Sequence, residues 1–272
     1  MSIFSFRLAE DFVEGYRAKK APFGYQDAAG NSVGEITFLR TYSRLKEDGT
    51  KETWVDVCER VINGMYSLQK DHAKSQRLPW SDAKAAASAK EAFDRLYNLK
   101  WTPPGRGLWV MGTPLVNVER NSAALQNCAF VVVNNPIRPF TWTFEMLMLG
   151  SGVGYNIQKH NVYQLPKLKG KLKIERKDTK DADYIVPDTR EGWVKLLGKV
   201  LKAHFYGGEG FTYSTVCVRG KGAPIKGFGG TASGPEELCW GINEIHKILN
   251  NRSNKKLRPI DCLDIMNIIL IQ

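Results

Sequence analysis

The sequence predicts an α/β protein, with a mainly helical N-terminal region followed by strands that alternate with helices. Three observations carry this. Two long stretches before residue 100 show helical periodicity, Pro103-Pro104-Gly105 breaks the chain, and beyond it short β-rich runs alternate with amphipathic segments. Such alternation argues for a parallel sheet or barrel. At 272 residues there is room for one large domain or two small ones. The division is expected between residues 1–102 and 103–272.

The first fifty residues are short segments between turn signals at Ala21-Pro22-Phe23-Gly24, Ala29-Gly30-Asn31 and Glu47-Asp48-Gly49. Between them Ile36 to Tyr42 is read as a strand. From Lys51 to about His72, Trp54, Cys58, Val61, Ile62, Met65 and Leu68 recur on one helical face. Cys58 within that stripe reads as a small core hydrophobe. Ser81 is a good N-cap for an Ala-rich helix running to about Leu99. Ala129 to Val133 is a run of the buried-strand type, and a helix over Thr141–Leu149 follows it. Another helix starts near Asp188, with Asp188 and Glu191 at capping-box spacing. Phe211–Val218 is a strand candidate. A helix capped by Ser233 and Glu236 comes next, and the segment from Pro259 onward reads as a last helix.

Composition narrows the function classes. Hydrophobic residues make up 43% and charged residues 25%, and seven Trp, twelve Phe and ten Tyr can fill a core, so whole-chain disorder is excluded. No run approaches the roughly 20 apolar residues of a membrane span, and the start MSIFSFRLAEDF is no secretory signal. The five cysteines, at 58, 128, 217, 239 and 262, form neither a CxxC pair nor a zinc pattern. No metal site is expected, and a reducing cytoplasm is the natural location. The net charge of +11 suits polyanionic ligands and equally suits plain solubility.

Four features are candidates for chemistry. Cys128 stands directly before the apolar strand, after Gln126 and Asn127. Sequence alone favours a buried structural thiol there, with a redox role as the alternative. Gly150-Ser151-Gly152-Val153-Gly154 lets a ligand approach the backbone closely or simply makes a tight turn. Lys226-Gly227-Phe228-Gly229-Gly230-Thr231-Ala232-Ser233-Gly234-Pro235 runs into a helix N-terminus, where free N–H groups favour anions; the bland alternative is a mobile surface loop. Lys167, Lys169, Lys171 and Lys173 share one face of an extended segment, fit for phosphate or nucleic acid, and more commonly found guarding a sheet edge. The four histidines (72, 160, 204 and 246) read as surface or helix-end residues.

Colinear blocks along the chain resemble the adenosylcobalamin-dependent (class II) ribonucleotide reductases. They include Phe38-Leu39-Arg40-Thr41-Tyr42-Ser43-Arg44, Pro103-Pro104-Gly105-Arg106-Gly107-Leu108-Trp109, Met111-Gly112-Thr113-Pro114-Leu115 and Asn127-Cys128-Ala129-Phe130-Val131. Further matches are Met148 to Gly154, Asp183 to Trp193, Lys226 to Pro235, and Arg258 to Ile269. The resemblance implies a helical region followed by the first half of a ribonucleotide-reductase-type α/β barrel. It implies thiyl-radical reduction of a ribonucleotide, with Cys128 as one of two thiols that become a disulfide. Thr113, Asn127, Cys128 and Gly152 would line the substrate. Lys226, Gly227, Phe228, Gly229, Gly230 and Thr231 would relay the identity of a deoxynucleotide effector, with Asp188 and Arg190 near the effector site.

The same resemblance implies adenosylcobalamin as cofactor, bound mostly outside this sequence, and a dithiol reductant such as thioredoxin. No Asn-Pro-Cys-Gly-Glu-like finger loop for the radical cysteine is found, and the sequence stops at Leu270-Ile271-Gln272 where the family continues. The expectation is therefore an N-terminal part of a split or interrupted reductase, inactive until the C-terminal half complements it. On the reductase reading neither a nucleic-acid nor a membrane partner is expected; the competing expectation is a nucleotide- or nucleic-acid-binding remnant without catalysis.

Overall fold

The computed structural model describes residues 3–20, 22, 24–46, 48–225 and 230–271. The chain divides into two compact units, Met1–Gln126 and Asn127–Gln272. The expected break at Pro103-Pro104-Gly105 lies inside the first unit, where Pro104 precedes a short helix.

The first unit is helical: α1 (Glu10–Arg17), α2 (Val33–Thr41), α3 (Trp54–Ser75), α4 (Asp82–Tyr97), α5 (Gly105–Val110) and α6 (Pro114–Asn117), then a 3-10 turn over Ser122–Leu125. α3 starts at a full capping box: the Thr53 hydroxyl accepts from the Asp56 N–H, and the Asp56 carboxylate accepts from the Thr53 N–H. Its expected stripe is real, with Trp54, Cys58, Val61 and Ile62 buried. Ser81 caps α4 as its sequence suggests. Phe93, Leu96 and Tyr97 of α4 complete the core with Tyr16 of α1, whose ring meets Phe93 and Tyr97 edge-on.

One reading fails here. Ile36 to Thr41 lie in α2, with Tyr42 just after it, and not in a strand. Val33 and Ile36 are 74% and 61% exposed, and Phe38 alone is buried, against Tyr25 and Trp54. That single anchor and the Thr37 hydroxyl bonded to the Val33 carbonyl suit a helix turn. Strand propensity had no neighbouring strand to act on.

The second unit holds β1 (Cys128–Val132), α7 (Arg138–Met148), β2 (Gly152–Asn156), α8 (Lys159–Val162), β3 (Ile174–Arg176), β4 (Tyr184–Ile185), α9 (Arg190–Tyr206), β5 (Phe211–Ser214), α10 (Pro235–Asn251) and α11 (Pro259–Ile271). Every ladder between these strands is parallel, as the alternation implied. The strands form two separate sheets, β1-β2 and β3-β5-β4. Phe140 and Phe144 of α7, Leu196, Leu197, Val200 and Leu201 of α9, Ile242 and Ile245 of α10, and Ile265 and Met266 of α11 make one core. Among the described residues no helix is long and apolar enough to cross a membrane.

Several local expectations are corrected. The α9 cap is Thr189, whose hydroxyl accepts from the Gly192 N–H, while Asp188 pairs with Arg219 instead. Gly234 precedes α10 with Pro235 in its first turn, so no side chain caps that helix and Ser233 is not its cap. β5 stops at Ser214 because Asp178 takes the N–H and hydroxyl of Thr215. The run 129–133 is not buried throughout, since Phe130 is 64% exposed. His204 and His246 are core residues, whereas His72 and His160 are exposed as expected. The lysines at 167, 169, 171 and 173 are all exposed, with Leu168 buried between them; they lead into β3, which is a sheet edge.

Candidate active site

β1 and β2 run parallel, joined through α7, with Cys128 opposite Gly152, Ala129 opposite Val153, and Phe130 opposite Gly154. Alternation along a strand sends successive side chains to opposite faces. Val131 and Tyr155 pack on the core, while Cys128, Phe130, Gly152 and Gly154 share the exposed face. Asn127 enters the pair through its carbonyl, which accepts the Gly152 N–H at 2.9 Å. The turn into β2 needs glycine at 150, where φ is +77°. Its neighbour Ser151 is buried, and the Ser151 N–H is held by the Met146 carbonyl.

The structure thus brings Asn127, Cys128 and Gly152 together. Cys128 is exposed, contrary to the buried thiol that sequence alone favoured. A Cβ at Gly152 would meet only the Asn127 carbonyl, at 3.8 Å, so the floor beside the thiol is bare backbone. Burial pushes the Cys58, Cys239 and Cys262 thiols up, that of Cys262 to about 12, so those three stay protonated and inert.

Thr113 belongs to the first unit. It is buried, precedes α6, and donates its hydroxyl to the Val110 carbonyl at 2.7 Å. The adjacent Gly112 (φ +77°) packs directly on α3. Its N–H goes to the Asn117 side chain, whose amide in turn donates to the Gly64 carbonyl. Arg60 holds the same stretch from α3 by donating to the Leu108 and Met111 carbonyls while paired with Glu52.

Of the loop assigned to effector relay, Lys226, Gly227, Phe228 and Gly229 lie outside the described residues. Its base is described. Thr231 bridges Pro224 antiparallel, and the Ile225 N–H meets the Gly230 carbonyl. Arg219 ties this base to Asp188, donating Nε to the carboxylate at 2.8 Å and Nη1 to the Pro224 carbonyl at 2.9 Å. Arg190 instead pairs with Glu191, and its Nε lies 3.9 Å from Glu145.

Two arrangements had no clear sequence signal. His204 Nε2 meets His246 Nδ1 at 3.0 Å in the core, and Asn250 bonds both the His246 ring and the backbone of Leu172. Burial lowers both histidines, His204 to about 4. Asn135 accepts the Ile137 and Arg138 N–H groups at the start of α7. There an open groove of about 340 Å³ is lined by Phe130, Asn135, Arg138 and Trp142 among others.

Neither of the two open grooves described in the second unit is large enough to seat a corrinoid. The buried imidazoles face each other, and open grooves of about 340 and 510 Å³ are sized for smaller ligands. No chemical step through that cofactor is therefore assigned to these residues.

Known proteins share this fold. The family model "Ribonucleotide reductase alpha domain" matches residues 8–113, and "B12-dependent ribonucleotide reductase, insertion domain" matches residues 163–249. A probable adenosylcobalamin-dependent ribonucleoside-triphosphate reductase of Dictyostelium discoideum is 37% identical over 98% of this chain and 36% of its own length. The adenosylcobalamin-dependent ribonucleoside-triphosphate reductase of Euglena gracilis is 36% identical over 97% of this chain and 35% of its own. A crystal structure of a B12-dependent (class II) ribonucleotide reductase superposes with a TM-score of 0.80 at 25% identity, over 97% of this chain and 42% of that one. The chain spans about a third of the length of the curated relatives it matches. On both family models, these relatives and the shared fold, the chain belongs to the adenosylcobalamin-dependent (class II) ribonucleotide reductases.

Proposed function

We propose that this chain is part of an enzyme that reduces ribonucleoside triphosphates to deoxyribonucleotides by thiyl-radical chemistry, with Cys128 as one of its two reducing thiols. The observation that carries the proposal is an exposed thiol at the head of a parallel strand, beside a glycine that leaves bare backbone next to it. A reducing thiol must reach the sugar, give up a proton and an electron, and then meet a second thiol. Exposure on an open sheet face permits all three. The radical cysteine, the second reducing thiol and the cobalamin seat come from the remainder of the reductase, and a dithiol such as thioredoxin regenerates the pair in the cytoplasm. Asn127 and Gly152 line the sugar. A deoxynucleotide effector acts through the loop over residues 226–231, whose base Asp188 and Arg219 hold, with Arg190 nearby.

The test is Cys128→Ser in the complete reductase carrying this chain, assayed with adenosylcobalamin, a ribonucleoside triphosphate and a dithiol. Multiple-turnover formation of deoxynucleotide should fall by about 100-fold or more, the scale of losing a proton donor in the reacting complex. Thermal unfolding of this chain alone should stay unchanged by the substitution, because the side chain is exposed in it. Turnover at the parental rate would overturn the proposal.

A further inference from the structure

The open face of the β1-β2 pair carries one large side chain that the thiol chemistry leaves unexplained. Phe130 points the same way as Cys128, two residues further on, about 7 Å along the strand. It is 64% exposed, although a phenyl group in water forgoes the gain of burial. Across from it stands Gly154, just as Gly152 stands across from Cys128. A Cβ at Gly154 would come within 3.2 Å of Phe130 Cδ2 and 3.9 Å of Cε2. The ring therefore leans over the α-carbon of Gly154 and fills the place where another residue would keep its side chain. Gly152 has no such cover. The space above the backbone is open beside the thiol and closed two residues along by the ring.

We propose that Phe130 is a positioning residue, a wall that fixes where the ribose of a bound nucleotide rests against the Cys128 thiol, and that Gly154 is the gap that seats the ring. The inference rests on the reading of Cys128 as a reducing thiol. Sulfur and sugar must stay in contact for hydrogen to pass, and small misplacements are costly. A flat apolar ring beside the thiol limits sliding of the sugar along the strand and gives its C–H groups a surface to pack on.

The experiment compares Phe130→Ala, Phe130→Leu and Gly154→Ala in the complete reductase, with Cys128→Ser alongside and cytidine triphosphate as the probe. In this chain the ring is exposed and belongs to no core cluster, so the chain carrying Phe130→Ala should unfold at the parental temperature. Alkylation of Cys128 without nucleotide should change less than about twofold, whereas KM should rise about tenfold, equivalent to ~1.4 kcal/mol. Nucleotide protection of Cys128 against alkylation should weaken in step. Phe130→Leu should recover part of the loss, and Gly154→Ala, by displacing the ring, should reproduce it. Parental KM and parental protection in Phe130→Ala would overturn the proposal. If Cys128→Ser is inactive while Phe130→Ala behaves as the parent, only the positioning role fails. If Cys128→Ser keeps full turnover, the reading beneath it fails as well.

Discussion

Replacing Gly64 by alanine should destabilise the protein, against the usual rule for helices. In a helix interior, glycine to alanine normally gains about 1 kcal/mol. At Gly64 in α3 the new Cβ would lie 2.5 Å from Gly112 Cα and 2.6 Å from Gly112 N, both backbone atoms that no rotamer change can move aside. Gly112 cannot adapt easily, because it sits at φ +77° against α3 and is tied to Asn117. Overpacking of this kind costs up to about 3 kcal/mol. Pushing the two segments apart also strains the Asn117 bonds to Gly112 and Gly64, each worth about 1 kcal/mol. After the helix gain is subtracted, the net loss is about 2–4 kcal/mol. Urea unfolding of the full chain, followed by tryptophan fluorescence, should show a lower midpoint for Gly64→Ala. The control is Gly15→Ala in α1, where nothing lies within 4 Å of the added carbon, and it should be neutral or stabilising. A Gly64→Ala midpoint at or above the parental one would refute the close-contact argument.

Other perturbations probe the second unit. A thiol reagent added to the native chain should react quickly with Cys128 and Cys217, and with Cys58, Cys239 and Cys262 only on unfolding; rapid labelling of any of the latter three would contradict their burial. The lowered pKa of His204 (about 4) means the unfolded chain binds more protons than the folded one between its ordinary value near 6.5 and about 4. Stability should therefore rise with pH across that window and fall by up to about 3 kcal/mol as pH drops through it. His204→Phe should flatten that part of the stability profile, and a profile parallel to the parent's would reject the assignment. Thr189→Ala should cost about 1 kcal/mol as a lost N-cap, whereas Ser233→Ala should cost almost nothing. Equal losses in thermal unfolding would show that the caps are misassigned.

Much of this architecture was legible in the sequence because it is local. The α3 stripe from Trp54 to Leu68, the Ser81 cap and the strand and helix that follow Cys128 each depend on spacing within a few turns. The failures share one cause, which is partners distant in the chain. Phe38 became helical through packing on Tyr25 and Trp54, and Asp188 was taken from its helix by Arg219. His204 found His246 forty-two residues away. Of the candidate site, the pairing of Cys128 with Gly152 was implied by family likeness rather than by either residue alone. Exposure of the thiol was not legible at all, since the same apolar run suits a strand buried on both faces or on one.

The β1-α7-β2 register also governs where this chain tolerates insertions and deletions. Cys128 meets a glycine only because the connection over residues 133–151 has a set length. One residue more or less in it would present Val153 or Ser151 to the thiol, and α7, packed on the core by Phe140 and Phe144, cannot take up the slack. Between β3 and β4, Asp178 and Asp183 are tied to β5, but residues 179–182 between them are largely exposed and set no register. Length variation among descendants of this gene, and any engineered loop graft or affinity tag, should therefore accumulate around residues 179–182 and be purged from 133–151.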